Sequence, residues 1–220
     1  MSPMSDKKAT LQKAIVKNGI ANLESGFGGG GIFSDCINLK DVILPSGLIY
    51  IGQNCFINCK SLTNISLPDS VTSIEAHAFR DCSSLTSITI SNSVKSIGYD
   101  AFGRCSSLTN ITIPESVTSI SQDAFYSCSS LTSITIPNSV KSIRYNVFED
   151  CSSLTNITIP ESVTSIEQWA FKNCSSLTNI MYKGTKEQWN NIDKSITSGE
   201  VDWCDSTLKT ITCTDGVITL

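Results

Sequence analysis

Apolar and polar positions recur along this chain with a period of 23 residues. Phe33, Phe56, Phe79, Phe102, Phe125, Phe148 and Phe171 each stand three residues before Cys36, Cys59, Cys82, Cys105, Cys128, Cys151 and Cys174. Counted from Cys105, the residues Leu108, Ile111, Ile113, Val117, Ile120, Ala124 and Phe125 return in the neighbouring units with few changes. A fixed period of this length over many units predicts a solenoid. Ile111 and Ile113 alternate with Asn110 and Thr112, which is the period of a strand with one buried face. Pro114 ends that strand, since proline has no N–H for a ladder. Val117 and Ile120 form a second apolar pair across a serine-rich bend, and Asp123-Ala124-Phe125 lead through a turn or one helical turn to the next cysteine. A single unit cannot bury its apolar face alone. Each buried Leu, Ile, Val or Phe contributes about 1.5–3 kcal/mol, against about 1–2 kcal/mol of backbone entropy per ordered residue, so stacking and end caps decide whether the array folds.

The ends depart from the period. Ser5 is placed to cap a helix over 6–18, with Leu11, Ala14 and Ile15 on one face and Gly19 as its stop. Gly26, Gly28, Gly29, Gly30 and Gly31 surround Phe27, with no following Gly-Lys-Ser/Thr that would make a phosphate loop, so this stretch reads as a flexible joint. Beyond Met181 the repeat breaks. Thr185 and Gln188 form a capping box ahead of Trp189, a short helix runs through Ile192, and 207–212 reads as a strand. The expected organisation is an N-terminal helical cap and joint over 1–31, an array over 32–180 and a closing segment over 181–220.

Composition narrows the chemistry. Of 220 residues 40% are hydrophobic, enough for a core, while only 16% are charged and 7% aromatic, so Ser, Thr and Asn carry the surface. The net charge of −4 excludes a global basic footprint for nucleic acid. The N-terminus has no apolar run of signal-peptide length, and no eighteen apolar residues occur in a row, so neither an export address nor membrane insertion is expected in this chain. Ten cysteines accompany a single histidine, His77, and no Cys-x-x-Cys occurs. Parallel coils would set the ladder cysteines about 5 Å apart with all side chains pointing the same way, unsuited to bridging. They read as buried thiols packing as small hydrophobes, and Cys204 with Cys213 is the pair best placed for a disulfide. No metal and no cofactor is expected. His77 has no nucleophile partner at a defined place and Gly-x-Ser-x-Gly is absent, so nothing points to an enzyme.

The segment Cys105-Ser106-Ser107-Leu108-Thr109-Asn110-Ile111-Thr112-Ile113-Pro114, followed by Ser116-Val117-Thr118-Ser119-Ile120 and Ala124-Phe125, resembles the unit of the BspA-like type of leucine-rich repeat from about Ile32 to Ile180. The stretch from Tyr182 to Trp189 and the ending Cys213-Thr214-Asp215-Gly216 are similar to the closing segment of such arrays. The resemblance implies a right-handed solenoid, α/β to mostly β, with short parallel strands, turn or short-helix corners and capped ends. The better-known leucine-rich unit has Asn or Cys after the strand; here Ser70, Ser93, Ser116, Ser139 and Ser162 stand there. A flat coil with a strand on one face and a shorter strand or turn on another is therefore expected in place of a helix-backed horseshoe. The resemblance also implies adhesion to a protein or glycan ligand at a cell surface or in secreted form, often in host-associated microbes.

Differences between the units locate candidate contacts. Lys95 and Lys141 share a place held by Thr72, Thr118 and Thr164, and Tyr99 matches Tyr145, so the array grew by copying a 46-residue pair. Strand and core positions hardly change, whereas the residues flanking Ala-Phe do. Tyr99, Arg104, Tyr126, Arg144, Tyr145 and Trp169 fall there, on one ridge of a solenoid, and Tyr, Trp and Arg are the types most enriched at interface hot spots. This ridge is the candidate recognition surface, its bland alternative being unconstrained solvent positions. Two further roles remain open at this point: a spacer or assembly module whose caps dock to neighbours, and ice binding through an outward row of Thr89, Thr112, Thr135 and Thr158. Asn64, Asn110 and Asn156 open Asn-x-Ser/Thr triplets on strands, where a glycan would be awkward.

Overall fold

The computed structural model describes residues 8, 10–23, 30–194, 203–204 and 207–220. Each coil except that of Asn110 lays down two short strands, the first burying its central residue and the second its last, because flanking Ser, Thr and Asn prefer water while Ile does not. The first strand of successive coils is β1 (Lys13–Ile15), β3 (Asp41–Ile43), β5 (Asn64–Ser66), β7 (Ser87–Thr89), β10 (Ser133–Thr135), β12 (Asn156–Ile159) and β14 (Asn179–Tyr182). The second is β2 (Asn22–Leu23), β4 (Tyr50–Ile51), β6 (Ser73–Ile74), β8 (Ser96–Ile97), β9 (Ser119–Ile120), β11 (Ser142–Ile143) and β13 (Ser165–Ile166). From β4 through β14 the coils pair in parallel with a 23-residue register, as in Ile65 opposite Ile88 and Ile74 opposite Ile97. The result is a repeat solenoid of flat coils, with strands on two faces and turns at the corners. The serine after each proline turn takes part: Ser70 Oγ donates to the Leu48 carbonyl and Ser162 Oγ to the Val140 carbonyl, 2.5 and 3.0 Å away in the preceding coil.

Two internal ladders run the length of the array. The phenylalanine rings stack nearly flat, with centroids 5.2–5.6 Å apart from Phe33 to Phe171. Beside them each ladder cysteine from Cys59 to Cys174 donates its thiol to the carbonyl of a phenylalanine in the preceding coil, as Cys105 does to Phe79 at 3.1 Å and Cys128 to Phe102 at 3.2 Å. This explains why the position takes cysteine: it must be small, apolar enough for full burial and still able to donate one hydrogen bond. Burial pushes the Cys128 thiol up to about 12 from an ordinary value near 9. Below about pH 9 the thiol is protonated in both folded and unfolded chains, and its contribution to stability is whole. Above that pH only the unfolded chain ionises, so stability falls as pH rises toward 12. Alkaline unfolding is therefore expected to begin above pH 9, and a Cys128→Ala variant should lose stability at neutral pH but show a shallower alkaline decline in a denaturant titration. An unchanged pH slope would refute the buried-donor role.

The array begins earlier than the sequence period indicates. Lys8 and Thr10 are helical, but the helix expected to reach Asn18 gives way to β1, which pairs Ala14 with Val42, and to β2, which pairs Leu23 with Ile51. The physical reason is the open edge of β3 and β4, whose backbone groups would otherwise lack partners. Of the expected glycine joint, residues 26–29 lie outside the described residues. Gly31 packs so closely on the Asn54 carbonyl that a Cβ there would overlap it.

At the other end α1 (Lys186–Asn190) carries the expected capping box, in which Thr185 Oγ1 accepts from Gln188 N and Gln188 Oε1 accepts from Thr185 N. β15 (Thr210–Cys213) extends the first sheet, and β16 (Gly216–Thr219) turns back antiparallel on it, a hairpin that the sequence pattern did not indicate. Trp203 stands edge-on to Phe171 at 6.1 Å and meets Trp189, which meets Tyr182, so an aromatic cluster closes the phenylalanine stack. Cys204 and Cys213 are not joined in a disulfide: the Cys204 backbone makes a parallel β-bridge with Phe171, and Cys213 lies opposite Gly216. In the coil of Thr112 the backbone keeps only a bridge from Asn110 to Ser133 in place of a first strand. At the adjoining joint Val147 replaces the alanine of four other coils, and the Phe125–Phe148 spacing of 5.6 Å is the widest of the stack.

Candidate functional site: the corner ridge

The ridge is built on an unusual corner. On either side of each phenylalanine, alternate backbone N–H groups donate to carbonyls of the next coil: His77 to Tyr99, Phe79 to Ala101 and Asp81 to Gly103, all at 2.8 Å. Keeping every donor aimed along the axis forces the residues two before and two after phenylalanine into the left-handed region, with φ between 53° and 62°. Asn and Asp tolerate that region best after glycine. They occupy most of these slots: Asn54, Asp100, Asp123 and Asn146 in one column, and Asp35, Asn58, Asp81, Asp150 and Asn173 in the other. Side chains of the second column bond along it, Asn58 Nδ2 to Asp35 Oδ1 at 2.9 Å and Asn173 Nδ2 to Asp150 Oδ1 at 2.7 Å. The exceptions are His77 and Trp169 in the first column, and Arg104 and Ser127 in the second.

The side chains projecting from this corner gather into two aromatic groups. Near the middle of the array His77 and Tyr99 meet edge to face at 4.9 Å. Below them the carboxylate of Asp100 is buried, paired with the Arg80 guanidinium and 3.2 Å from His77 Nδ1. Burial pushes this carboxyl upward against the opposing pull of Arg80 and His77. It reaches that depth because Gly103 has no side chain, and a Cβ there would overlap Asp100 Oδ1. Two coils further on, Tyr145 and Trp169 lie 5.1 Å apart, with the Lys172 ammonium 4.5 Å over the indole. Arg144 pairs with Glu167 at 3.0 Å, and Arg104 stands 5.8 Å from the Tyr126 ring.

The structure thus brings the six expected residues onto one edge, but in three groups: Tyr99 with His77, Arg104 with Tyr126, and Arg144 beside Tyr145 and Trp169. Arg104 and Arg144 are exposed, Tyr99 is 39% accessible, and Tyr126, Tyr145 and Trp169 are half-buried. Lys172, one of the variable residues after phenylalanine that the sequence places on the ridge, joins the last group, as does Glu167, which the sequence reading passed over although it shares the variable column of Arg144. All three arginines and the only histidine of the chain lie on this edge. Among the described residues no cluster of His, Cys, Asp or Glu converges on a metal position, and no helix is long and apolar enough to cross a membrane.

The sequence matches the BspA type leucine rich repeat region in six copies, over residues 28–128 and 96–219. The chain belongs to the BspA-type leucine-rich repeat family. Solved structures of similar repeat proteins agree. A Treponema pallidum leucine rich repeat protein shares 28% identity over 87% of this chain and 86% of its own, with a TM-score of 0.70. A leucine rich cell surface protein from Faecalibacterium prausnitzii shares 28% over 84% of this chain, with a TM-score of 0.60, and a leucine-rich repeat protein from Bacteroides ovatus shares 25% over 91%, with a TM-score of 0.71. The chain spans 63% and 53% of the length of these last two. Comparison with curated protein sequences gives no match. Within a BspA-type array the strands and the two ladders hold the coils together, leaving the corner columns as the places where a unit can vary without unstacking its neighbours.

Proposed function

We propose that this chain is a non-catalytic recognition scaffold of bacterial surface type, which holds a protein or glycan ligand along the corner ridge. One observation carries the reading. At backbone slots that favour Asn and Asp, the chain places the bulky Arg104 and Trp169. A side chain of that kind in this region costs about 1–2 kcal/mol, and such strain collects at sites kept for function. Solvent positions free of selection would drift toward the residues the backbone prefers. The neighbours fit recognition as well, since Tyr, Trp and Arg carry much of the energy at interfaces.

The test is the variant with Tyr99, Tyr145 and Trp169 all changed to Ala, assayed on a panel of extracellular-matrix proteins and host glycans. Loss of at least tenfold in affinity for every ligand held by the parent chain is expected, with the fold intact by circular dichroism. A second reading, a spacer or assembly module, has one observation in its favour: Ile15 and Ile43, adjacent in register, are 65% and 52% exposed on the outward face of β1 and β3. That reading predicts unchanged behaviour of the triple variant.

A further inference from the structure

Beside the aromatic groups, an open groove of about 510 Å³ follows the corner where each phenylalanine segment turns into the next coil. Its walls come from two columns, the left-handed residues and the residue after each cysteine, and include Lys60, Asp81, Ser83, Arg104, Ser129 and Asp150. Every lining residue is Ser, Asp, Lys or Arg. Both acids are already engaged: Asp81 accepts from Arg80 Nε at 3.3 Å, and Asp150 accepts from Ser127 Oγ at 3.2 Å and Asn173 Nδ2 at 2.7 Å. Arg104 is different. Among the described residues it is the arginine without a carboxylate partner, since Arg80 and Arg144 each have one. It is exposed, held at φ 60°, and lies against the Tyr126 ring.

We propose that this groove binds a carboxylate-bearing glycan, with the Arg104 guanidinium taking the carboxylate and the serine hydroxyls meeting the sugar. The proposal rests on the ridge being a recognition surface and names the ligand class. A guanidinium presents a planar fork that matches a carboxylate with two parallel hydrogen bonds. A peptide anchor side chain would favour a pocket of apolar side chains, and none lines this groove. A saccharide is recognised by hydroxyl networks, which serines repeated once per coil supply. Lys60 adds a second positive charge at one end of the groove.

The experiment is calorimetric titration of the full chain with 3′-sialyllactose, a hyaluronan tetrasaccharide and lactose, repeated with Arg104→Asn and Arg104→Lys. Asn suits the left-handed slot, so that variant keeps the fold. An acidic saccharide is expected to bind on the order of tenfold to a hundredfold more tightly than lactose, and Arg104→Asn to erase the difference while Arg104→Lys keeps part of it. The two acidic probes separate a terminal from a repeating acidic sugar. Equal binding of lactose and the acidic probes, or a preference that survives Arg104→Asn, overturns the proposal. So does binding of no saccharide by a chain that still holds matrix proteins through Tyr99, Tyr145 and Trp169, an outcome that leaves the ridge reading standing. A Glu-rich hexapeptide bound with the same Arg104 dependence would replace the glycan with a polypeptide.

Discussion

Replacing Phe102 by Ala should lower the stability of the array by about 3–5 kcal/mol, the largest effect expected of any single core change. Phe102 is fully buried, stacked on Phe79 and Phe125 at 5.4 Å on both sides. Its carbonyl also accepts the Cys128 thiol. In a solenoid each coil contacts only its neighbours, so a cavity in the middle coil uncouples the two halves. Globular domains have about 5–15 kcal/mol in total, and the melting midpoint should drop by roughly 6–20 °C for a chain of this size. Phe33, half-buried at the first coil, provides the control: Phe33→Ala should cost markedly less. Equal losses at the two positions in thermal denaturation would contradict a nearest-neighbour array.

Trp203→Ala should be nearly as damaging, and in a different way. Trp203 covers the end of the phenylalanine stack, its carbonyl accepts the Phe171 N–H at 2.7 Å, and its ring joins Phe171 to Trp189. Truncating a buried tryptophan costs about 3–5 kcal/mol, here concentrated on the final coil. With the cover gone, Phe171 is opened to water, and loosening of β15 and β16 would leave β14 a long open strand edge, the kind of surface that pairs with other chains. Light scattering should show concentration-dependent association well below the melting temperature of the parent chain. A monodisperse variant with an unshifted midpoint would show that the closing segment is dispensable.

The repeat itself, the paired strands and the flat coil were legible because a 23-residue register repeats the same inward residues in every unit. The first coil was hidden by length. β1 pairs 28 residues ahead rather than 23, yet its inward residues keep the spacing of the others: Ala14 to Leu23 is nine residues, as is Ile65 to Ile74. Spacing between inward residues within a coil was the better ruler than coil length. The depth of Asp100 was not legible, because Asp123 holds the same column one coil later without such burial, and what separates them is the missing side chain at Gly103. Nor could the sequence show that Asn and Asp cluster beside phenylalanine because the backbone turns left-handed there, which is the fact that makes Arg104 and Trp169 informative.

The melting midpoint of Arg104→Asn tests that fact most directly. Asn relieves the left-handed strain and can donate to Asp81 as Asn58 does to Asp35 and Asn173 to Asp150. Taking the guanidinium away from the Tyr126 ring costs about 0.5–1 kcal/mol, less than the strain relief and new hydrogen bond combined. The variant should melt about 2–4 °C higher for each kcal/mol gained. A midpoint equal to or below that of the parent chain would mean that Arg104 serves stability, and the ridge would lose its claim to be a surface kept for recognition.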